Sequence, residues 1–321
     1  MAMNKSVNKS IKIIFKNKPL IVLIITSTIV ALLNPRFITW GNILTVLRQT
    51  SINAVIATGM TFAILIGGID LSVGSVLGIC GAIAASMISS GTNVFVAVIA
   101  ALLLGTAIGF VNGTLITTGR LQPFIATLGT LTLLRGLILV FTQGRPIGTG
   151  NTEASAIFGK IGTGFIGPIP IPVYIMVLVF IIAYYLLNHT RIGRYIYATG
   201  SNEETTIYSG INTNRVKLFV YSFSGMMAAL AGILITARLG SAQPTAGTGY
   251  ELDAIAAVVL GGTSMAGGIG TIAGTAVGAL IIGVLNNALN LMQVSSYYQD
   301  VAKGIVILIA VLLDRKQKLS R

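Results

Sequence analysis

The sequence predicts an all-α, polytopic membrane helical bundle of about ten transmembrane helices, and three observations carry that prediction. Of 321 residues, 54% are hydrophobic and only 9% are charged, more apolar surface than one soluble core can hide. Apolar runs close to the ~20 residues that cross bilayer hydrocarbon as a helix follow one another from Leu20 to Leu313, with short polar breaks. Runs such as Val94 to Ile116 and Phe219 to Ile235 are continuously apolar or small, whereas a membrane barrel alternates in segments of ~10 residues.

The chain opens with Lys5, Lys9, Lys12, Lys16 and Lys18 ahead of an apolar run from Leu20 to Leu33. This resembles a secretory signal, but Asn34-Pro35-Arg36 follows where small residues would mark cleavage. Residues 1–19 are therefore read as a cytoplasmic tail before an uncleaved first span near 20–34. Further spans are expected near 50–67, 71–88, 93–117, 122–142, 171–187, 218–236, 254–266, 269–290 and 300–313. Ten crossings place both termini in the cytoplasm, segment 143–170 outside and segment 188–217 inside, within a single membrane domain covering 1–321. Charge agrees: the inner segment carries Arg191, Arg194, Arg215 and Lys217, and the C-terminal tail carries Arg315, Lys316, Lys318 and Arg321. Arg36, Arg48 and Arg238 fall on outward connections against that bias, either reaching lipid phosphate or meeting an acidic partner.

The 38 glycines sit inside apolar runs, with four-residue spacing at Gly74/Gly78, Gly105/Gly109/Gly113 and Gly274/Gly278. Helix backbones approach closely at such positions. Gly105-Thr106-Ala107-Ile108-Gly109 echoes Gly274-Thr275-Ala276-Val277-Gly278, and Ile69-Asp70-Leu71 echoes Glu251-Leu252-Asp253, a hint of the internal repeats common in transporters. A formal net charge of +13 would suggest nucleic acid in a soluble protein. Here the basic residues cluster at span ends and read as topology signals instead. Cys80 stands alone in an apolar helix and reads as a small buried residue; no metal set, redox pair or cofactor is expected.

Catalytic chemistry has few carriers. The single histidine, His189, stands beside Thr190 and Arg191 at a membrane edge and reads as a loop residue rather than a general base. No Gly-x-x-x-x-Gly-Lys-Ser/Thr phosphate loop occurs, so ATP hydrolysis is not assigned to this polypeptide. Gly162-Thr163-Gly164-Phe165-Ile166-Gly167 matches a dinucleotide fingerprint as a string, but Pro168, Pro170 and Pro172 follow and no strand precedes it. Within 188–217, Ser201 or Asn202 can cap a short helix with Glu203 and Glu204 in its first turn, and Gly210 can end it. The segment from Gly200 to Gly210 is thus either a lever that docks on a cytoplasmic ATPase or an ordinary capped loop helix.

Inside the spans, polar side chains are sparse and mostly uncharged. Asn53, Thr61, Asn112, Thr127 and Asn286 are candidates for lining a solute path. Hydroxyls and amides exchange hydrogen bonds with a polyol without trapping it, although the same residue types also tie helices together. Asp70, in Gly67-Gly68-Ile69-Asp70-Leu71-Ser72, lies where two apolar runs meet; the glycines permit a break, and Asp70 or Ser72 can cap the following helix. Arg135, inside the fifth span, should face a cavity, a carbonyl or a carboxylate.

Several segments resemble the ribose permeases of the sugar ABC importer family. They include Gly59-Met60-Thr61, Gly68-Ile69-Asp70-Leu71-Ser72-Val73-Gly74-Ser75, Phe124-Ile125-Ala126-Thr127-Leu128, Leu133-Leu134-Arg135-Gly136 and Gly193-Arg194-Tyr195-Ile196-Tyr197-Ala198. The longest match runs from Ser241 through Gln243-Pro244-Thr245-Ala246-Gly247 to Ala254 and Ser264, and Val294-Ser295-Ser296-Tyr297-Tyr298-Gln299 also fits. The resemblance implies a permease subunit that moves a monosaccharide, foremost D-ribose, into the cytoplasm across a bacterial inner membrane. It implies a homodimer with a second permease copy, a cytoplasmic ATP-binding subunit engaging Gly200 to Gly210, and an extracytoplasmic sugar-binding protein. The stretch Asn202-Glu203-Glu204-Thr205-Thr206 departs from the family pattern, which more often has small alanines after the Asn-Glu, and this bears on partner fit. The alternative is a proton-coupled secondary sugar transporter, for which Asp70 would be the carboxylate; a channel would need no docking helix, and an enzyme would need more His, Cys or paired acids.

Overall fold

The computed structural model describes residues 18–318; the N-terminal Lys5, Lys9, Lys12 and Lys16, and Arg321 of the tail, lie outside them. The first half of the bundle is α1 (Lys18–Leu33), α2 (Trp40–Leu65), α3 (Val73–Ser89), α4 (Val94–Thr117) and α5 (Pro123–Thr142). A short α6 (Glu153–Thr163) leads to α7 (Ile171–His189), which is followed by two short helices, α8 (Arg191–Ser201) and α9 (Glu203–Tyr208). The second half continues with α10 (Thr213–Leu239), α11 (Tyr250–Leu260), α12 (Ile272–Leu291) and α13 (Ser296–Lys318). Five of these (α4, α5, α7, α10 and α12) are long and apolar enough to cross a membrane. Because α7 runs the length of the bundle, α6 and the α8–α9 pair mark its opposite ends.

Local chemistry sets the boundaries. Asn93, Thr190, Asn212 and Thr271 each accept a backbone N–H of the first turn that follows, supplying partners that a helix start otherwise lacks. Pro123 and Pro172 stand in the first turns of α5 and α7, where a missing N–H costs nothing. Strand structure is limited to two ladders of two residues: β1 (Ile147–Gly148) pairs with β4 (Ser241–Ala242), and β2 (Phe165–Ile166) with β3 (Ile169–Pro170), both antiparallel.

The core is built around α2, every residue of which is buried from Ala54 to Leu65; it packs against α10, α12, α11 and α7, and α3 and α4 join the bundle by packing on α10. Outward faces of α4, α5, α7 and α13 present Leu103, Val140, Ile181 and Leu308. An apolar surface of that extent suits lipid rather than water. The glycine spacing does what the sequence suggests. A Cβ on Gly105 or Gly109 would strike the backbone of Gly225 or Tyr221 on α10, and one on Gly274 or Gly278 would strike Gly261 or Ala257. Cys80 is buried and unpaired.

Three sequence expectations are corrected. The span expected at 254–266 is instead α11, which stops at Leu260, with Gly262 at φ +88° just beyond it. Eleven residues rise only about 16 Å at ~1.5 Å each, roughly half of a ~30 Å hydrocarbon core. The rest of the distance is covered by non-helical chain, for Ala242 packs with Ala82, and a Cβ on Gly78 or Gly74 would meet Ala246 or Gly247. Segment 240–249 thus dips along α3, and α11 begins inside the bundle. Segment 188–217 holds two helices rather than one, and α10 already starts at Thr213. Segment 143–170, expected as a loop, contains α6, with Thr152 capping Ser155 N–H, Glu153 in the first turn and Lys160 in the last.

Candidate substrate pathway and coupling segment

A polar cavity of about 260 Å³ opens between α2, α10, α11, α12 and α13. Its lining includes Gln49 and Asn53 of α2, Arg238 in the last turn of α10, Asp253 in the first turn of α11, Asn286 of α12 and Lys303 of α13. Two of the five sequence candidates, Asn53 and Asn286, therefore meet here although 233 positions separate them. Asp253 is the hub. Its Oδ2 accepts from Lys303 Nζ at 3.2 Å, Asn53 Nδ2 at 3.4 Å and Asn286 Nδ2 at 3.5 Å. The dip of 240–249 brings this carboxylate into the bundle on a half-length helix, an arrangement in which irregular backbone is tolerated because it is enclosed by protein. Lys303 balances the charge, so the buried acid is paired and hydrogen-bonded, as buried charges must be.

The other three candidates lie away from this cavity. Thr61 Oγ1 shares a 2.7 Å bond with Thr275 of α12 and another of 2.7 Å to Ala57 O. Thr127 bonds Pro123 O and reaches Ile69 O at 3.2 Å. Asn112 donates to Ser72 Oγ at 2.9 Å and accepts from Thr130 Oγ1 at 2.6 Å. All three are buried and connect separate elements.

Asp70 belongs to the same web. Its Oδ1 accepts the Ser72 N–H at 3.1 Å and hydroxyl at 2.6 Å, while Oδ2 accepts from Ser224 of α10 at 2.7 Å. Asp70 thus closes a turn at the break between α2 and α3, whereas Ser72, at the cap position, gives its side chain to Asp70 and caps nothing. Arg135 finds carbonyls: Nη1 donates to Ala246 O at 2.9 Å and Pro244 O at 3.3 Å. It pins the dipping segment from α5, with the Glu251 carboxylate near enough to interact electrostatically.

At the opposite end of the bundle from α6, Asn202 caps α9 by accepting Thr205 N–H at 2.9 Å. Ser201 instead ends α8, Glu203 is clamped to Lys217 of α10 at 2.6 Å, and Gly210 follows α9 at φ +81°. Ile207 and Tyr208, by contrast, are 52% and 89% exposed. Gly200 packs against the bundle: a Cβ there would collide with Leu65 O and Gly268 N. Gly268 N–H also donates to Leu65 O at 2.9 Å, and Tyr197 hydroxyl donates to Gly270 O at 2.8 Å. Burial pushes the Tyr197 phenol above its ordinary range, which keeps it protonated as a donor. The α8–α9 unit is therefore bound to segment 261–271, which follows directly on α11, the helix that carries Asp253.

Residues 42–311 match the family model described as branched-chain amino acid transport system / permease component. The chain belongs to this permease family. The permease is 56% identical to the ribose import permease protein RbsC of Haemophilus influenzae over 315 residues, 98% of each chain. To the proteins of that name from Escherichia coli K12 and Bacillus subtilis it is 57% and 54% identical, over 95% of each chain and over 93% and 92% respectively. No solved structure matches it at a significant level. As a member of this family it is a multi-pass membrane protein and a transporter subunit rather than a catalytic enzyme.

Sequence reasoning about the permease overlooked Asp253 and Lys303, one of two ion pairs among the described residues. One signal was visible: Lys303 is a cation inside an expected span, where an ionisable group needs a partner. Asp253 was hidden because it falls immediately ahead of an apolar run and reads as a boundary residue. Arg48 likewise shows its role only in three dimensions, stacked over the Phe165 ring at 4.8 Å.

Proposed function

We propose that this chain is the membrane-spanning subunit of an ATP-driven ribose importer in a bacterial inner membrane. The observation that carries the reading is the identity of 54–57% to ribose import permeases over nearly the whole length of both partners. The polar cavity supports it physically, since a neutral polyol needs amides and hydroxyls rather than an apolar passage, and Asn53 and Asn286 are assigned to that path. Thr61, Asn112 and Thr127 hold the helices that frame it.

The proposed topology has ten crossings with both termini cytoplasmic, α11 and the dip before it counting as one. Segment 143–170 with α6 faces outward towards a sugar-binding protein, and segment 188–217 faces an ATP-binding subunit. Each half then contains a helix, α3 or α11, entered through non-helical chain with an acidic residue near its start, Asp70 just before α3 and Asp253 in the first turn of α11, in keeping with an internal repeat. Coupling is assigned to the unit running from Gly200 and Ser201 through Asn202, Glu203 and Glu204 to Gly210. Ile207 and Tyr208 are its contact residues, and its movement is relayed through segment 261–271 to α11. A second permease copy completes a homodimer.

Reconstitution with the ATP-binding subunit in liposomes tests the reading through uptake of labelled ribose. Uptake that needs both ATP and the sugar-binding protein is the expected result. Uptake driven by a pH gradient without ATP would overturn the reading and make Asp70 the residue of interest.

A further inference from the structure

Buried acceptors without donors single out the Asp253 cavity. Asn53 and Asn286 each donate one amide N–H to Asp253, and both amide oxygens are left buried with no partner. The amides cannot be turned round to cure this, because each would then point an oxygen at a carboxylate. All three donors to Asp253 converge on Oδ2, which leaves Oδ1 without a donor among the described residues. Three free acceptors thus sit in one cavity. Free donors stand among them: Lys303 uses one of its three N–H groups on Asp253, and the Arg238 guanidinium has no hydrogen-bond partner among the described residues.

A buried polar group left without a partner is costly, so the pattern defines what completes it. An inorganic anion would satisfy Lys303 and Arg238 and leave the acceptors orphaned. A metal cation would use the acceptors but would lie against two fixed positive charges. A hydroxyl both donates and accepts, and several hydroxyls on adjacent carbons match interleaved donors and acceptors. The cavity, about 260 Å³, is many times the space one water needs and takes a ligand of small-molecule size.

We propose that Asp253, Asn53 and Asn286 form a binding subsite for a single polyhydroxylated ring, taking O–H donors from neighbouring hydroxyls while Lys303 and Arg238 donate to the same oxygens. This rests on the permease reading and adds a place where sugar is held within the membrane domain. Asp253 is its specificity-determining residue, because only a carboxylate keeps both amides turned with their oxygens towards the ligand. The site sits on α11, whose far end is bound to the α8–α9 unit, so displacement of that unit moves the carboxylate against Lys303 and weakens the site.

The test uses thiol protection in the full complex, with Asn290→Cys at the cavity rim and the parent chain, whose only thiol is buried Cys80, as background. Ribose at up to ~100 mM fills a site of millimolar affinity and should slow modification of Asn290→Cys by a charged thiosulfonate several-fold. Tetrahydropyran, a ring without hydroxyls, should not slow it. Adding Asp253→Asn or Asn53→Ala should reduce the protection by ribose at least fivefold, while Lys303→Gln should reduce it less. Insensitivity of Asn290→Cys to ribose, or equal protection by tetrahydropyran, would overturn the site. If ATP-dependent uptake by the unmodified complex persists in that case, only the subsite fails; if uptake is absent as well, the permease reading and the subsite fall together.

Discussion

Asn112 is the residue at which a path role and a structural role separate most clearly. It is fully buried and joins Ser72 to Thr130, and through Ser72 it reaches Asp70 and Ser224. Asn112→Ala should therefore lower stability by about 1–3 kcal/mol, since Ser72 and Thr130 lose a partner in a buried site. Thermal unfolding in detergent measures this; unchanged melting with altered sugar uptake would instead make Asn112 a path residue. The type and depth of this side chain are legible in the sequence, because an amide in an apolar run must find a partner. Which partner is not legible, because Ser72 and Thr130 come from other helices whose rotation about their axes is set by packing.

Glycine contacts dominate at the scale of elements. The α4–α10 interface is so close that a Cβ on Gly225 would meet the Gly105 carbonyl, whereas Gly129 and Gly136 of α5 have nothing within 4 Å. Gly225→Leu should separate two helices at the centre of the bundle and cost about 3 kcal/mol or more, read as loss of monodisperse protein after extraction. Gly129→Ala should be neutral or stabilise by up to ~1 kcal/mol through helix propensity. Spacing alone marks Gly105 and Gly109 as contact positions, but not Gly225, which stands without a glycine four residues away. The coupling unit gives a second prediction: Tyr208→Ala changes an exposed side chain and should leave melting within about 0.5 kcal/mol, yet reduce ATP-driven uptake several-fold. Uptake equal to that of the parent would show that α9 is an ordinary surface helix.

At the scale of the whole molecule, α6 and α9 occupy opposite ends of the bundle, and the permease reading puts a membrane between them. Ile157→Cys and Tyr208→Cys, both at exposed positions, should be labelled by an impermeant thiol reagent only from opposite faces of oriented vesicles. Labelling of both from one face would refute the proposed topology. The sequence by itself determined that the chain is a helical membrane protein, which elements are apolar, where backbones approach and which end of the polar segment 188–217 begins a capped helix. These follow from composition, run length and neighbours within a few residues. Tertiary structure alone decided that 254–266 is a half-length helix behind a dipping segment, that Asn53 and Asn286 share a cavity while Thr61, Asn112 and Thr127 do not, and that Asp253 pairs with Lys303. Those facts depend on which faces of distant helices turn towards each other, and that is settled by the summed packing of the bundle rather than by any one stretch of chain.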